Sequence, residues 1–99
     1  MLTYTDEEKN TIINLLTNIM EADSVIHPNE IEFMNKVMNS LNYTILNLDY
    51  GHGKDFFLNK KLFHKMDADK QSEVKNLLIG MAECDGFIDK REQELIDNI

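Results

Sequence analysis

The chain repeats part of itself 62 residues further on. Several of the other pairs at this offset join apolar residues, such as Ile12 with Val74 and Phe33 with Leu95. Such a repeat is typical of a duplicated supersecondary unit, whose copies pack together because each alone would leave an apolar face in water. The identical positions are Asn14, Leu15, Leu16, Glu21, Asp23, Ile26, Glu30 and Glu32, aligned with Asn76, Leu77, Leu78, Glu83, Asp85, Ile88, Glu92 and Glu94.

The first copy predicts two helices. Thr5 and Glu8 have the spacing of a capping box, in which each side chain accepts a backbone N–H at the start of a helix. The apolar face that follows consists of Ile12, Leu15, Leu16, Ile19 and Met20. Proline suits the first helical position, so we expect a second helix to begin at Pro28. Its predicted inner face is Ile31, Met34, Val37, Met38 and Leu41.

The second copy predicts the same pair of helices. Asp67 or Asp69 is expected to cap the first of them, and Asp89 to cap the second. The predicted face of the first helix is Val74, Leu77, Leu78, Met81 and Ala82. The last helix offers Leu95, Ile96 and Ile99.

The segment between the copies has a weaker pattern. Residues 44–50 are compatible with a short helix, the glycines at 51 and 53 interrupt it, and residues 55–66 predict another helix with apolar side chains at Phe56, Phe57, Leu58, Leu62, Phe63 and Met66. We therefore predict an all-α fold in a single domain over residues 1–99. It is a small helical bundle of two pseudo-symmetric helix-loop-helix repeats, at about 6–41 and 68–99, with a connecting helical segment at about 42–67.

Composition narrows the classes of partner. The formal net charge is -8, from 10 basic and 18 acidic residues, which argues against nucleic acid because binding there depends on Lys and Arg. The chain begins with acidic residues rather than a signal-peptide pattern, and it has no apolar run of membrane-spanning length. A single cysteine, Cys84, suits a reducing compartment. We predict a cytoplasmic protein that does not insert into a membrane.

The stretch CDGFIDKREQE at 84–94 has some features of an EF-hand calcium loop. With Gly86 as the sixth position, Asp85 is the fifth and Glu92 the twelfth, as that loop requires. The first position is then Met81, which has no oxygen ligand, and in the other copy it is Ile19. A standard EF-hand is therefore excluded in both copies.

Two interpretations of the loop acids stay open. In one, they are structural: Asp89 and Glu92 form a capping box, and Glu30 stands at the same third helical position. In the other, the two loops come together and form an acidic cluster for a hard divalent cation, calcium or magnesium in preference to zinc. The candidate ligands are Asp23, Glu30, Asp85 and Glu92, together with Glu21 and Glu83.

The two loop motifs carry a family resemblance. They read Ala22-Asp23-Ser24-Val25-Ile26 with Glu30, and Cys84-Asp85-Gly86-Phe87-Ile88 with Glu92. The doubled motif resembles that of the tellurite-resistance TerB-like family, over roughly residues 8–99, with Ser24 replacing the glycine of the first copy. The resemblance implies a helical bundle built from two related halves, a link to bacterial stress and tellurite-resistance systems, and a metal-associating site at the Asp and Glu positions.

No catalytic constellation stands out in the sequence. The serines lack a nucleophile-elbow context, and Cys84 lies between two acids, where a thiol is not activated. We therefore predict a non-catalytic TerB-like interaction or scaffold domain of a bacterial stress or tellurite-resistance-associated system, with a divalent cation at the acidic cluster. One alternative is a pure protein–protein interaction module whose acids serve only as helix caps. A second is a metal-dependent hydrolase.

Overall fold

The computed structural model describes residues 2–22, 27–43, 56–84, 86 and 88–99, and these contain five helices and no strand. The helices are α1 (Asp6–Glu21), α2 (Pro28–Ser40), α3 (Phe56–His64), α4 (Ala68–Glu83) and α5 (Lys90–Asp97). The prediction of an all-α helical bundle is confirmed. The possible short helix at 44–50 lies outside the described residues.

The helix starts follow the predicted caps. The Thr5 hydroxyl accepts the N–H of Glu8 at 3.1 Å, and the Glu8 carboxylate accepts the N–H of Thr5 at 2.8 Å, which completes the capping box of α1. Of the two candidates for α4, Asp67 is the cap, because its side chain accepts the N–H of Lys70 at 2.9 Å. These bonds satisfy backbone donors that a helix start otherwise leaves without partners.

Helix α1 is the centre of the bundle, and each of the other four helices packs against it. All five residues of its predicted apolar face are buried, and so are Ile13 and Thr17 on its other sides. The Thr17 hydroxyl donates to the carbonyl of Ile13 at 2.8 Å, so this buried polar group has a partner within the helix. Helix α4 supplies the second part of the core with Val74, Leu78, Met81 and Ala82.

The predicted inner face of α2 is wrong at one position. Ile31 is 50% exposed, whereas Glu30 beside it is 1% exposed. The inner stripe of the helix runs from Glu30 through Met34 and Val37 to Leu41. Because Ile31 is about 100° around the helix from Glu30, burying the carboxylate turns Ile31 toward solvent.

Helix α3 also departs from the expectation of an apolar inner face. Phe57 is 81% exposed and Leu58 is 50% exposed, and within the helix only Asn59 and Phe63 are buried. The Asn59 amide donates to the side-chain carbonyl of Asn18 on α1 at 3.0 Å in a buried bond. This amide pair sets which side of α3 meets α1, since a buried amide needs its partner more than an apolar residue needs full burial.

The helix boundaries follow the spacing of the sequence repeat. Helices α1 and α2 begin at Asp6 and Pro28, and α4 and α5 begin 62 residues later, at Ala68 and Lys90. Glu8 and Lys70, which the repeat aligns, form an ion pair at 2.9 Å between α1 and α4. The matching boundaries agree with two helix-loop-helix units, and their pseudo-symmetric packing stays a prediction.

Helices α2 and α4 approach closely at a glycine. A β-carbon on Gly80 would lie 2.8 Å from Cζ of Phe33, which is shorter than carbon atoms tolerate. Phe33 is partly buried and packs against the core, so its ring occupies the space that any larger residue at position 80 would need. The glycine therefore permits this helix crossing.

We expect Gly80→Ala to stabilise a Phe33→Leu background more than it stabilises the wild type. Alanine should gain about 0.8–1 kcal/mol as a better helix former, but in the wild type it must displace the ring of Phe33 and lose most of that gain. In a Phe33→Leu background the full gain should return. Urea unfolding of the four proteins measures this coupling. Asn76→Ala, an exposed substitution on α4, should stabilise both backgrounds equally. An identical effect of Gly80→Ala in both backgrounds would contradict the packing described here.

Candidate functional site

Two glutamates lie at the same position in the first turns of α2 and α5. Glu30 and Glu92 are 1% and 3% exposed. The carboxylate of Glu30 accepts the backbone N–H of His27 at 2.9 Å, and that of Glu92 accepts the N–H of Asp89 at 3.1 Å. Both acids therefore have the capping role that one interpretation of the sequence assigned to them.

The burial of these carboxylates is a strong local constraint. A carboxylate removed from water is costly unless charge-assisted hydrogen bonds and a positive potential compensate. The N–H donors and the positive end of the helix dipole supply both at the start of a helix. At α5 the cap is completed by Asp89, whose side chain accepts the N–H of Arg91 at 2.8 Å. Each loop must therefore end in the conformation that presents its N-cap amide to the glutamate.

The second loop also has a specific backbone conformation. Gly86 has φ of 102°, in the left-handed region that favours glycine, and its N–H donates to the carbonyl of Glu83 at 2.9 Å. This glycine therefore supplies the positive φ of the turn after α4. Ser24, its counterpart in the first loop, lies outside the described residues.

One hydrogen bond links the neighbourhoods of the two loops. The side-chain amide of Asn29, in the first turn of α2, donates to the carbonyl of Cys84 at the end of α4, at 3.3 Å. Beside it lies a cavity of about 210 Å³ lined by Asn29, Glu32, Phe33, Lys36 and Cys84. The end of the first loop and the beginning of the second are therefore neighbours.

Glu21 and Glu83 end helices α1 and α4, and both are exposed. Neither helix has a basic residue in its last turn. A carboxylate at this end faces the negative pole of the helix dipole, which costs about 0.3–1 kcal/mol. These two acids do not cap a helix start, unlike Glu30 and Glu92.

The structure describes only part of the predicted acidic cluster. Asp23 and Asp85 lie outside the described residues, and the other four candidate ligands, Glu21, Glu30, Glu83 and Glu92, lie within them. Among the residues that the structure does describe, no group of three or more His, Cys, Asp or Glu side chains is arranged to hold a metal ion. The six-residue cation cluster therefore stays a prediction that depends on the two aspartates.

A polar network that no sequence motif indicates lies at the amino-terminal end of the bundle. One carboxylate oxygen of Glu73 on α4 accepts the Tyr4 hydroxyl at 2.8 Å and the N–H of Leu2 at 3.0 Å. Burial and the neighbouring Glu73 raise the pKa of Tyr4 above its usual value. Lys70 bonds both oxygens of Glu8, at 2.9 and 3.1 Å. The opposite charges of the aligned positions 8 and 70 were the one sequence signal that could have indicated this contact.

Comparisons with known proteins add no family assignment. No protein-family model, curated protein or solved structure matches the chain. Over the described ranges, none of the helices combines the length and the apolar character needed to cross a membrane. The fold therefore defines the class as a small all-α bundle, and the TerB-like assignment stays a resemblance of motifs.

We expect acid to remove part of the stability through Glu8. The Thr5 N–H, with help from Lys70, holds the pKa of this carboxyl below its ordinary value of 4.5. A folded-state pKa below the unfolded one means that the stabilisation is present above about pH 4.5 and is lost as the pH falls below it. Glu8→Gln should therefore lose about 0.3–1 kcal/mol at pH 7, and less as the solution is acidified.

Urea unfolding at pH 7 and pH 3.5 measures this difference. Glu94→Gln removes one exposed carboxylate from α5 and is the charge-matched control. We expect the control to keep the pH dependence of the wild type. A Glu8→Gln protein that loses as much stability as the wild type between the two pH values would contradict the assignment.

Proposed function

We propose that this chain is a non-catalytic, TerB-like interaction domain of a bacterial stress or tellurite-resistance-associated system, and that a divalent cation binds between its two acidic loops. The observation that supports it most is that Glu21 and Glu83, at aligned positions, end α1 and α4 as exposed acids directly before the two loops. The doubled Asp-containing motif supplies the family part of the proposal, and the Asn29–Cys84 bond supports the proximity of the loops.

The acids at the ends of α1 and α4 support the proposed cation site. Glu21 and Glu83 occur at aligned positions where the helix dipole disfavours a negative charge, so they cost stability in the absence of a positive partner. Calcium and magnesium prefer carboxylate oxygens, and a bound cation would remove this cost. Glu21 and Glu83 would be ligands together with Asp23 and Asp85. Glu30 and Glu92, the other two candidate ligands, stand in the first turns of the helices that follow the two loops.

The second candidate is a protein-interaction module without a metal. It is favoured by the hydrogen bonds of Glu30 and Glu92, which explain both buried acids through helix capping alone. In that case the remaining loop acids contribute charge to a binding surface. The two candidates differ in what happens when a divalent cation is added.

We expect millimolar calcium or magnesium to raise the thermal stability of the metal-stripped protein. A cation present at one hundred times its dissociation constant stabilises the fold by about 2.7 kcal/mol. The informative variant is Glu21→Gln/Glu83→Gln, because these acids are exposed and do not cap a helix start. Without cation it should be more stable than the wild type by about 0.3–1 kcal/mol per site, and with cation it should lose the shift.

The control for this experiment is Glu32→Gln/Glu94→Gln. It removes two aligned, exposed acids that are not among the candidate ligands, and it should keep the full cation shift. Manganese and zinc, added separately, show whether the site prefers hard cations. If no cation stabilises the wild type, the proposed metal site is wrong, and the interaction module whose acids only cap helices remains. If the control loses the shift as well, the effect is general charge screening rather than a site.

A further inference from the structure

Helix α3 and the two residues after it have the opposite charge to the rest of the molecule. Residues 56–66 contain Lys60, Lys61 and Lys65 and no acid. The chain carries a formal net charge of -8, so the remaining residues carry -8 - 3 = -11. No ion pair within the described ranges uses any of these three lysines. Their charges are therefore available to a partner.

The exposed side of α3 combines this charge with apolar surface. Phe57 is 81% exposed and Leu58 is 50% exposed, and Lys61, His64 and Lys65 are exposed as well. Phe57 and Leu58 precede Lys61 by four and three residues, and His64 and Lys65 follow it by three and four. The five residues therefore lie on one side of α3, a helix roughly 14 Å long, and of the residue that follows it. We call these five residues the α3 face. Its first turn is apolar and its last turn is cationic.

Phe57 has an aromatic neighbour within the fold. Its ring meets the ring of Phe56 edge-on, with centroids 6.2 Å apart, and Phe56 packs against the core. An aromatic side chain has only two χ angles, so it loses little conformational freedom when a partner covers it. Aromatic residues, Phe among them, are enriched in the cores of protein–protein interfaces.

We propose that the α3 face binds an acidic polypeptide segment, whose apolar side chains cover Phe57 and Leu58 and whose carboxylates pair with Lys61 and Lys65. The proposal rests on the proposed function as an interaction domain and names the surface and the chemistry of its partner. Charge complementarity selects the acidic partner, because the α3 face is a local positive surface on a molecule that is otherwise strongly negative.

The same charge distribution favours a narrow polypeptide over broad anionic surfaces. An anionic bilayer extends past α3 and meets the remaining charge of -11, and only two exposed apolar side chains of the face are available to enter it. A second copy of this chain also carries -8 and is repelled as a whole. A single acidic segment can contact α3 without approaching the acidic surfaces of the protein.

Selection from a random-peptide display library against the immobilised full chain tests the proposal. We expect the enriched peptides to contain a surplus of Asp and Glu together with at least one Leu, Phe or Trp. The strongest peptide is then synthesised and titrated by fluorescence anisotropy. Its affinity should fall steeply between 50 and 500 mM salt, since ion pairs with exposed lysines are screened.

Two variants locate the binding site. Lys61→Glu/Lys65→Glu and Phe57→Ala should each weaken the selected peptide about tenfold or more. Lys36→Glu/Lys90→Glu makes the same change of charge at exposed positions of α2 and α5 and should weaken it less than threefold. Thermal unfolding of every variant confirms that it is folded, which is expected because all the substituted side chains are exposed.

Several outcomes would overturn this proposal. The assignment of the α3 face as the binding site is wrong if no acidic peptide is enriched. It is also wrong if the peptide binds the Lys61→Glu/Lys65→Glu protein as well as it binds the wild type. Sedimentation with vesicles that contain phosphatidylserine tests the alternative partner. If the protein binds these vesicles and no acidic peptide is enriched, the α3 face binds a lipid surface instead. The cation experiment is independent of α3. If a cation stabilises the protein but no acidic peptide binds α3, the proposed function stands and the α3 binding site is wrong. The same holds if a selected peptide binds elsewhere on the protein.

Discussion

The loops of this protein depend on two carboxylates that are buried at the starts of helices. Glu30 and Glu92 have almost no contact with water, and each bonds the backbone N–H at the N-cap of its own helix. Since an unpaired buried carboxylate is costly, the chain before each helix must take the path that brings this donor to the side chain. This requirement sets the backbone conformation at the starts of α2 and α5, and the burial of each glutamate keeps that helix start out of water.

This constraint divides the loop acids into two groups. Glu30 and Glu92 point inward and stabilise helix starts, whereas Glu21 and Glu83 are exposed at helix ends, where the dipole opposes them. The capping role of the first group explains why glutamate stands at the third helical position after each loop motif. The second group has no structural benefit of that kind, and for this reason the proposed cation is assigned to it together with the two loop aspartates.

Local features of the fold could be predicted from the sequence, and contacts between distant residues could not. The caps at Thr5, Asp67 and Asp89 depend on residues two or three positions apart, which a sequence displays directly. The exposure of Phe57 could not be predicted, because it depends on the buried pair of Asn18 and Asn59, which are 41 residues apart.

In the candidate site, too, local contacts could be predicted from the sequence and contacts between distant residues could not. The sequence motif selected Glu30 and Glu92, and their capping bonds are local. Whether all six acids face one another depends on how the loops pack, which no short-range pattern specifies. The bond between Asn29 and Cys84, 55 residues apart, gives the first indication that the loops are neighbours, and it had no signal in the sequence.

The most direct test of this account is a titration of the ¹⁵N-labelled protein with calcium and with magnesium, followed by amide NMR signals. If one cation binds between the loops, signals from residues 22–27 and 84–89 should shift together with a single dissociation constant. The amides of His27 and Asp89, which bond the capping glutamates, should already be protected from hydrogen exchange before any cation is added. Shifts confined to one loop, or different midpoints for the two loops, would contradict the shared site.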